Sequence, residues 1–191
     1  MSLDLYNVLS NSYKSRKEQE HAFKNDGYLF DKNLSNHNEQ VYYNPSKKKL
    51  LMSISGTHNI SDVGTDLWLA AGKLKDTNRY KEAESVLKRA KQKYNISNAT
   101  VSGHSLGGVV GQYIASKNDQ VYTLNKGATI GQKTRANEHA YRTSGDLVSV
   151  LNANSTRMKT LTNPHIRTSN FIVDAFNAHN VDNIKNKNIL I

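Results

Sequence analysis

One serine in this chain stands among small residues in a way that invites nucleophilic chemistry. In Gly103-His104-Ser105-Leu106-Gly107, Ser105 is the centre of a G-x-S-x-G pattern, whose glycines permit a sharp strand-to-helix turn that lifts the serine hydroxyl clear of the backbone. A serine hydroxyl is a poor nucleophile at neutral pH, so it needs a base and a place for the developing negative charge. The backbone N–H of Leu106 follows the serine at a helix N-terminus and is the natural first oxyanion donor. A second donor is expected from a turn after a neighbouring strand. Leu50 to Ser55 runs into Gly56-Thr57-His58, which makes Thr57 N–H the candidate.

An elbow of this kind orders its partners as serine, then acid, then histidine. Downstream of Ser105 the acids are Asp119, Glu138, Asp146, Asp174 and Asp182, and the histidines are His139, His165 and His179. Asp119 comes where the nucleophile helix ends, too soon to have crossed to another strand; Glu138 falls in an expected helix; Asp182 has no histidine after it. Asp146 lies in the polar break Arg142-Thr143-Ser144-Gly145-Asp146, as an orienting carboxylate should. His179 lies beyond a further element, Phe171 to Phe176, with chain enough to return over Ser105, and His165 after Pro164 is the fallback. His104 is read as structural, because neighbouring side chains at a tight turn diverge.

Elements must hold these residues. Leu5, Val8, Leu9 and Tyr13 predict a helix from about residue 3 to 23–25, stopped by Gly27. Gln40 to Asn44, the turn at Asn44-Pro45-Ser46-Lys47 and Leu50 to Ser55 predict a hairpin feeding an apolar central strand. Tyr80, Ala83, Val86, Leu87, Ala90 and Tyr94 share one face of a helix over 79–94. Ala99 to Ser102 is β-prone, Leu106, Val109, Val110, Tyr113 and Ile114 repeat at helical spacing, and Gln120 to Leu124 is a further strand. Gln132 to Tyr141 is expected as helix, Leu147 to Leu151 as strand, and the Asn-rich tail from Asn183 as loosely held. Helices alternating with strands argue an α/β domain with a mostly parallel sheet.

The 191 residues, 37% hydrophobic, suit one domain spanning 1–191. The absence of cysteine excludes disulfides, thiolate metal sites and a cysteine nucleophile. No basic start leads into an apolar block and no long apolar run occurs, so neither a secretory signal nor a membrane span is expected, which suits the cytoplasm, or a viral particle for a viral source. The 26 Lys plus Arg against 16 Asp plus Glu give a net charge of +10, which favours anionic surfaces. Peripheral contact with an anionic membrane is one reading of Lys47 to Lys49 and of Lys88 to Lys93, and a solvated face is the commoner one. No nucleic-acid motif accompanies the charge, so no specific nucleic-acid partner is expected. Asp62 and Asp66 lack further ligands at metal spacing, and neither metal nor cofactor is expected. Leu67-Trp68-Leu69-Ala70-Ala71 reads as core, with an interfacial lid as the alternative.

On these residues the chain resembles the class 3 lipase family of α/β-hydrolases. The resemblance rests on Gly56-Thr57, the stretch from Asp62 through Asp66 to Trp68, GHSLGG at Gly103 to Gly108, Asp146-Leu147-Val148 and His179, and covers roughly residues 40–182. It implies an α/β-hydrolase fold and a serine hydrolase of carboxylic esters, a lipase or phospholipase acting on lipid, with Ser105, Asp146 and His179 as triad and Thr57 and Leu106 at the oxyanion. Ser55 stands where the family commonly has Arg, and the prolines usual after the acid and after the strand at Leu124 are missing. The alternatives are an acyl hydrolase of other specificity, such as a thioesterase, and a catalytically silent hydrolase-fold binding or assembly protein. If His179 is the base, activity should fall on the acid side of neutrality.

Overall fold

Asn44 turns the first hairpin: its Oδ1 accepts the Lys47 N–H at 3.0 Å, and Lys48 takes up a left-handed backbone at φ 50°. The hairpin joins β2 (Glu39–Asn44) to β3 (Lys49–Ile54), with Asn44 opposite Lys49 and Glu39 opposite Ile54. This computed structural model describes residues 2–57, 73–127, 134–146, 149, 157–162 and 171–191. Around the hairpin the described strands form a seven-stranded sheet in chain order, adding β1 (Leu29–Phe30), β4 (Thr100–His104), β5 (Gln120–Leu124), β6 (Glu138–Thr143) and β7 (Met158–Leu161). β1, β2 and β3 pair antiparallel, while β3 through β7 are parallel. The carboxyl ends of the parallel strands therefore share one edge, where ligands of such sheets bind.

The period of two along β3 divides the core. Met52 and Ile54 face α3 (Asn78–Tyr94) and α4 (Leu106–Ile114), packing with Tyr80, Ala83, Val86, Leu87, Val109 and Val110. Leu51 faces the other way, into a cluster with Leu3, Val8, Phe23 and Tyr42. On that second face Leu5 and Leu9 of α1 (Leu5–Asn11) also meet Leu124, Val181 and Ile184. Helices on both faces are what a buried parallel sheet requires. Among the described residues no helix is long and apolar enough to cross a membrane.

Three expectations are corrected. The N-terminal helix is two short ones, α1 and α2 (Arg16–His21). Ser12 Oγ returns to the Leu9 carbonyl at 2.6 Å, and Ser15 opens α2 with a capping box closed by Glu18, so the local hydrogen bonds of two serines outweigh the helical spacing. Residues expected as helix near Tyr141 form β6 instead, and Glu138 opens that strand with its side chain buried. A carboxylate on the buried face hid the strand alternation. The tail is tied down: Val181 and Ile184 are buried, and Leu3 and Ile191 exchange backbone hydrogen bonds of 3.3 and 2.8 Å. Asp62, Asp66, Trp68, the segment Leu67 to Ala71, His58, His165 and, save Ser149, the expected strand Leu147 to Leu151 lie outside the described residues.

Candidate active site

β4 ends at His104 and α4 begins at Leu106, which leaves Ser105 alone at the junction. Its backbone sits at φ 55° and ψ −125°, a conformation costly for a residue with a Cβ, and its Oγ is buried with no hydrogen-bond partner among the described residues. The turn closes tightly because Gly103 and Gly107 have no side chains. A Cβ at Gly103 would strike the Gly107 carbonyl, and one at Gly107 would strike the Ile54 and Ser55 carbonyls. The G-x-S-x-G spacing is thus a packing requirement of strand against helix.

Gly108 N–H and Val109 N–H bond to the Ser105 carbonyl at 3.0 and 3.3 Å, opening the helical ladder. The Leu106 amide precedes that ladder, and a first-turn amide has no acceptor within its own helix. Beside it runs the turn after β3. Gly56 lies among three groups: a methyl added there would meet the Tyr13 hydroxyl at 2.8 Å and the His104 carbonyl and Ser105 Cβ at 2.9 Å. Gly56 N–H is already bonded to Tyr13 Oη at 2.7 Å, so the donor this turn can still offer is the next residue, Thr57. Thr57 Oγ1 is buried and has no hydrogen-bond partner among the described residues.

Asp146 and His179 come together across 33 positions of chain. His179 Nδ1 and Asp146 Oδ1 are 2.7 Å apart, and both residues are buried. Asp146 Oδ2 accepts the Ser149 N–H at 3.0 Å, so both carboxylate oxygens are held. A carboxylate opposite Nδ1 places the ring proton there and leaves the lone pair on Nε2. Nε2 is buried without a hydrogen-bond partner among the described residues, and the same holds for Ser105 Oγ. The backbone of His179 is pinned at the carboxyl ends of β4 and β5. Its carbonyl receives His104 Nε2 at 2.8 Å and Asn125 Nδ2 at 3.2 Å, while Thr143 Oγ1 bonds the Ala178 carbonyl. The rings of His104 and His179 lie 4.8 Å apart. Burial first, and then the neighbouring His179, push the His104 imidazole down to about 3, so it stays neutral.

Several supporting residues are not announced by the motifs. Asn125 takes a left-handed backbone at φ 48° just after β5 and binds both the His179 carbonyl and Thr143 Oγ1. Arg79, at the start of α3, donates to the Ser55 carbonyl at 2.5 Å and lies 3.7 Å from the buried Glu39 carboxylate. A guanidinium therefore does reach the turn where Ser55 replaces the expected Arg, but it comes from the next helix. A cation one residue before the apolar face of α3 was the available sequence signal. No group of His, Cys, Asp or Glu able to hold a metal ion occurs among the described residues.

Sheet, elbow and flanking helices define an α/β-hydrolase fold. The chain is similar in structure to the Lip2 lipase of Yarrowia lipolytica, with a TM-score of 0.54 and 14% identity over 83% of this chain and 76% of that one. It is also similar to MDLA of Penicillium cyclopium in its N225Q form (TM-score 0.53, 14% identity, 85% and 79% covered). A deletion mutant of the Rhizomucor miehei lipase propeptide complex gives a TM-score of 0.51 at 16% identity over 77% of this chain, which spans only 60% of that chain. At these identities the likeness is one of fold. No protein-family model matches the chain, and no curated protein matches it in sequence.

Proposed function

We propose that the chain is a serine hydrolase of carboxylic esters, with Ser105 as nucleophile, His179 as base, Asp146 as the group that orients it, and the amides of Leu106 and Thr57 as oxyanion donors. One observation carries this reading. The His179 imidazole is held at Nδ1 by Asp146 at 2.7 Å and has its other nitrogen unused, at the edge of the sheet where Ser105 stands in a strained elbow. In the free enzyme Ser105 Oγ and His179 Nε2 are not hydrogen-bonded to each other, and catalytic contacts of this kind tighten when substrate binds.

In the proposed reaction Ser105 Oγ bonds to the ester carbonyl carbon while its proton passes to His179 Nε2. The carbonyl oxygen becomes an oxyanion facing the two amides. Collapse breaks the bond to the alcohol, which leaves with the proton from His179. Water then attacks the acyl-serine by the same route in reverse, releasing the acid and restoring the serine. Within ester hydrolysis, a lipid ester is the substrate class favoured, because neighbours of this fold are lipases. Substrate would enter at the carboxyl ends of the strands. The exposed lysines Lys47 to Lys49 lead into β3 at its amino end and lie at the opposite edge, so attraction of these lysines to acidic phospholipid has no part in the proposal.

The test is hydrolysis of p-nitrophenyl esters of increasing acyl length, with fluorophosphonate labelling of the wild type and of Ser105→Ala. The expected result is ester cleavage and a single labelled serine, both lost in the variant, with long chains preferred by a lipase. A folded wild type that neither cleaves nor labels would leave the fold as a binding scaffold and end the enzymatic reading.

A further inference from the structure

Tyr13 reaches the site from a stretch of chain outside the catalytic motifs. It sits on the bare link between α1 and α2, made by the serine hydrogen bonds that interrupt the N-terminal helix. From there its hydroxyl meets Gly56 N–H at 2.7 Å and His104 Nδ1 at 2.8 Å, with the two rings edge-on at 73°.

The direction of each bond follows from what its partner can do. His104 Nε2 faces the His179 carbonyl at 2.8 Å. A carbonyl only accepts, so Nε2 carries the proton. The buried imidazole is neutral, which leaves Nδ1 bare and in need of a donor. The Tyr13 hydroxyl must give its proton there, and its oxygen takes the Gly56 N–H. Burial keeps that phenol protonated, pushed up to about 12. The result is a one-way chain, Gly56 N–H to Tyr13, Tyr13 O–H to His104, His104 N–H to the carbonyl of His179.

We infer that Tyr13 is a positioning residue for ester hydrolysis, its one hydroxyl setting both the turn that presents Thr57 and, through His104, the backbone of the proposed base. This rests on the catalytic reading of Ser105, Asp146 and His179. Two consequences follow from the geometry. Gly56 N–H is reserved for Tyr13 and is withheld from the oxyanion. Tyr13, which lies before the lipase-like stretch of sequence, belongs to the active site.

The experiment compares wild type, Tyr13→Phe, His104→Gln and the double variant on a soluble p-nitrophenyl ester, with kcat expressed per site titrated by a fluorophosphonate. Tyr13→Phe keeps the ring and removes only the hydroxyl. The expected result is a kcat per titrated site lowered about 10- to 100-fold, below the loss typical of deleting a direct oxyanion donor, with KM within about twofold. The double variant should lose far less than the product of the single losses, because both substitutions break one chain. A Tyr13→Phe enzyme with wild-type kcat per titrated site and only a lower Tm would make Tyr13 a packing residue and overturn the inference while leaving ester hydrolysis standing. Should Tyr13→Phe fail to fold, His104→Gln decides: its kcat per site falls if the chain matters, and wild-type turnover overturns the inference. A wild type that neither cleaves nor labels overturns both readings.

Discussion

β6 has a buried acid at its first residue and another shortly after its last, and the two are finished differently. Glu138 is closed on every side: Oε1 takes Lys126 Nζ at 2.5 Å and Thr123 Oγ1 at 2.9 Å, and Oε2 takes Gln112 Nε2 at 2.6 Å and Arg135 N–H at 3.2 Å. Asp146 is equally held, but its partner is not. His179 has a second nitrogen with no hydrogen bond among the described residues, and the Ser105 hydroxyl is in the same condition. Burial and ion pairing therefore do not distinguish chemistry from architecture. At the Asp146 end the partner keeps an unmade buried hydrogen bond, which is expensive and which, on the proposed reading, the reacting serine or substrate would complete.

Breaking the open pair should cost turnover. Ser105→Ala is expected to lower ester kcat by about 10⁴- to 10⁶-fold, and Asp146→Asn by about 10⁴-fold through the wrong imidazole tautomer, with far-ultraviolet circular dichroism unchanged in both. Breaking the closed pair should cost stability. Glu138→Gln removes the carboxylate that Lys126 Nζ binds, where burial already lowers the affinity of Lys126 for its proton, and is expected to remove about 3–5 kcal/mol in urea unfolding while the folded protein turns over within about twofold of wild type. Adding Lys126→Met should recover most of that loss. If Glu138→Gln instead abolished turnover in folded protein, the division between the two ends of β6 would collapse.

A smaller effect sharpens the same contrast through pH. His104 is held at about 3 in the fold against 6.5 when unperturbed. As pH falls below about 6.5 the unfolded chain takes up a proton that the folded chain refuses, so stability from this group is present above that pH and is lost toward pH 3, by about 1.4 kcal/mol per unit. His104→Gln cannot titrate, and its plot of unfolding free energy against pH should be shallower by one proton over that window. The smallest effect expected is a gain. Ser105→Gly should add about 1 kcal/mol in urea unfolding by relieving the φ 55° backbone, and Ser105→Ala should not share it.

The hairpin, α3, the elbow and the strand at Gln120 were legible because each shows an unbroken period or a fixed turn chemistry. The pairing of Asp146 with His179 was legible from the order of residues and the polar break before Leu147. β6 was not, because Glu138 and Thr143 fill buried positions where alternation leads one to look for apolar residues. His104 was read as structural from its place in the turn, and its setting needs three partners, the Tyr13 hydroxyl, the His179 carbonyl and the His179 ring, two of which come from 75 positions away and one from 91. Tyr13 itself looked like one more residue on a helical face. Only the break at Ser12 and Ser15 turns it inward, and local serine bonds compete with helix in ways that spacing does not reveal.

The backbone of Ser105 carries a further meaning for descent. At this position losing the nucleophile and gaining stability lie in the same direction, since glycine would relax the turn that serine strains. A lineage released from catalysis would meet no thermodynamic resistance to that exchange. A serine standing at φ 55° is therefore what the proposed chemistry requires and what the stability of the turn alone would not select.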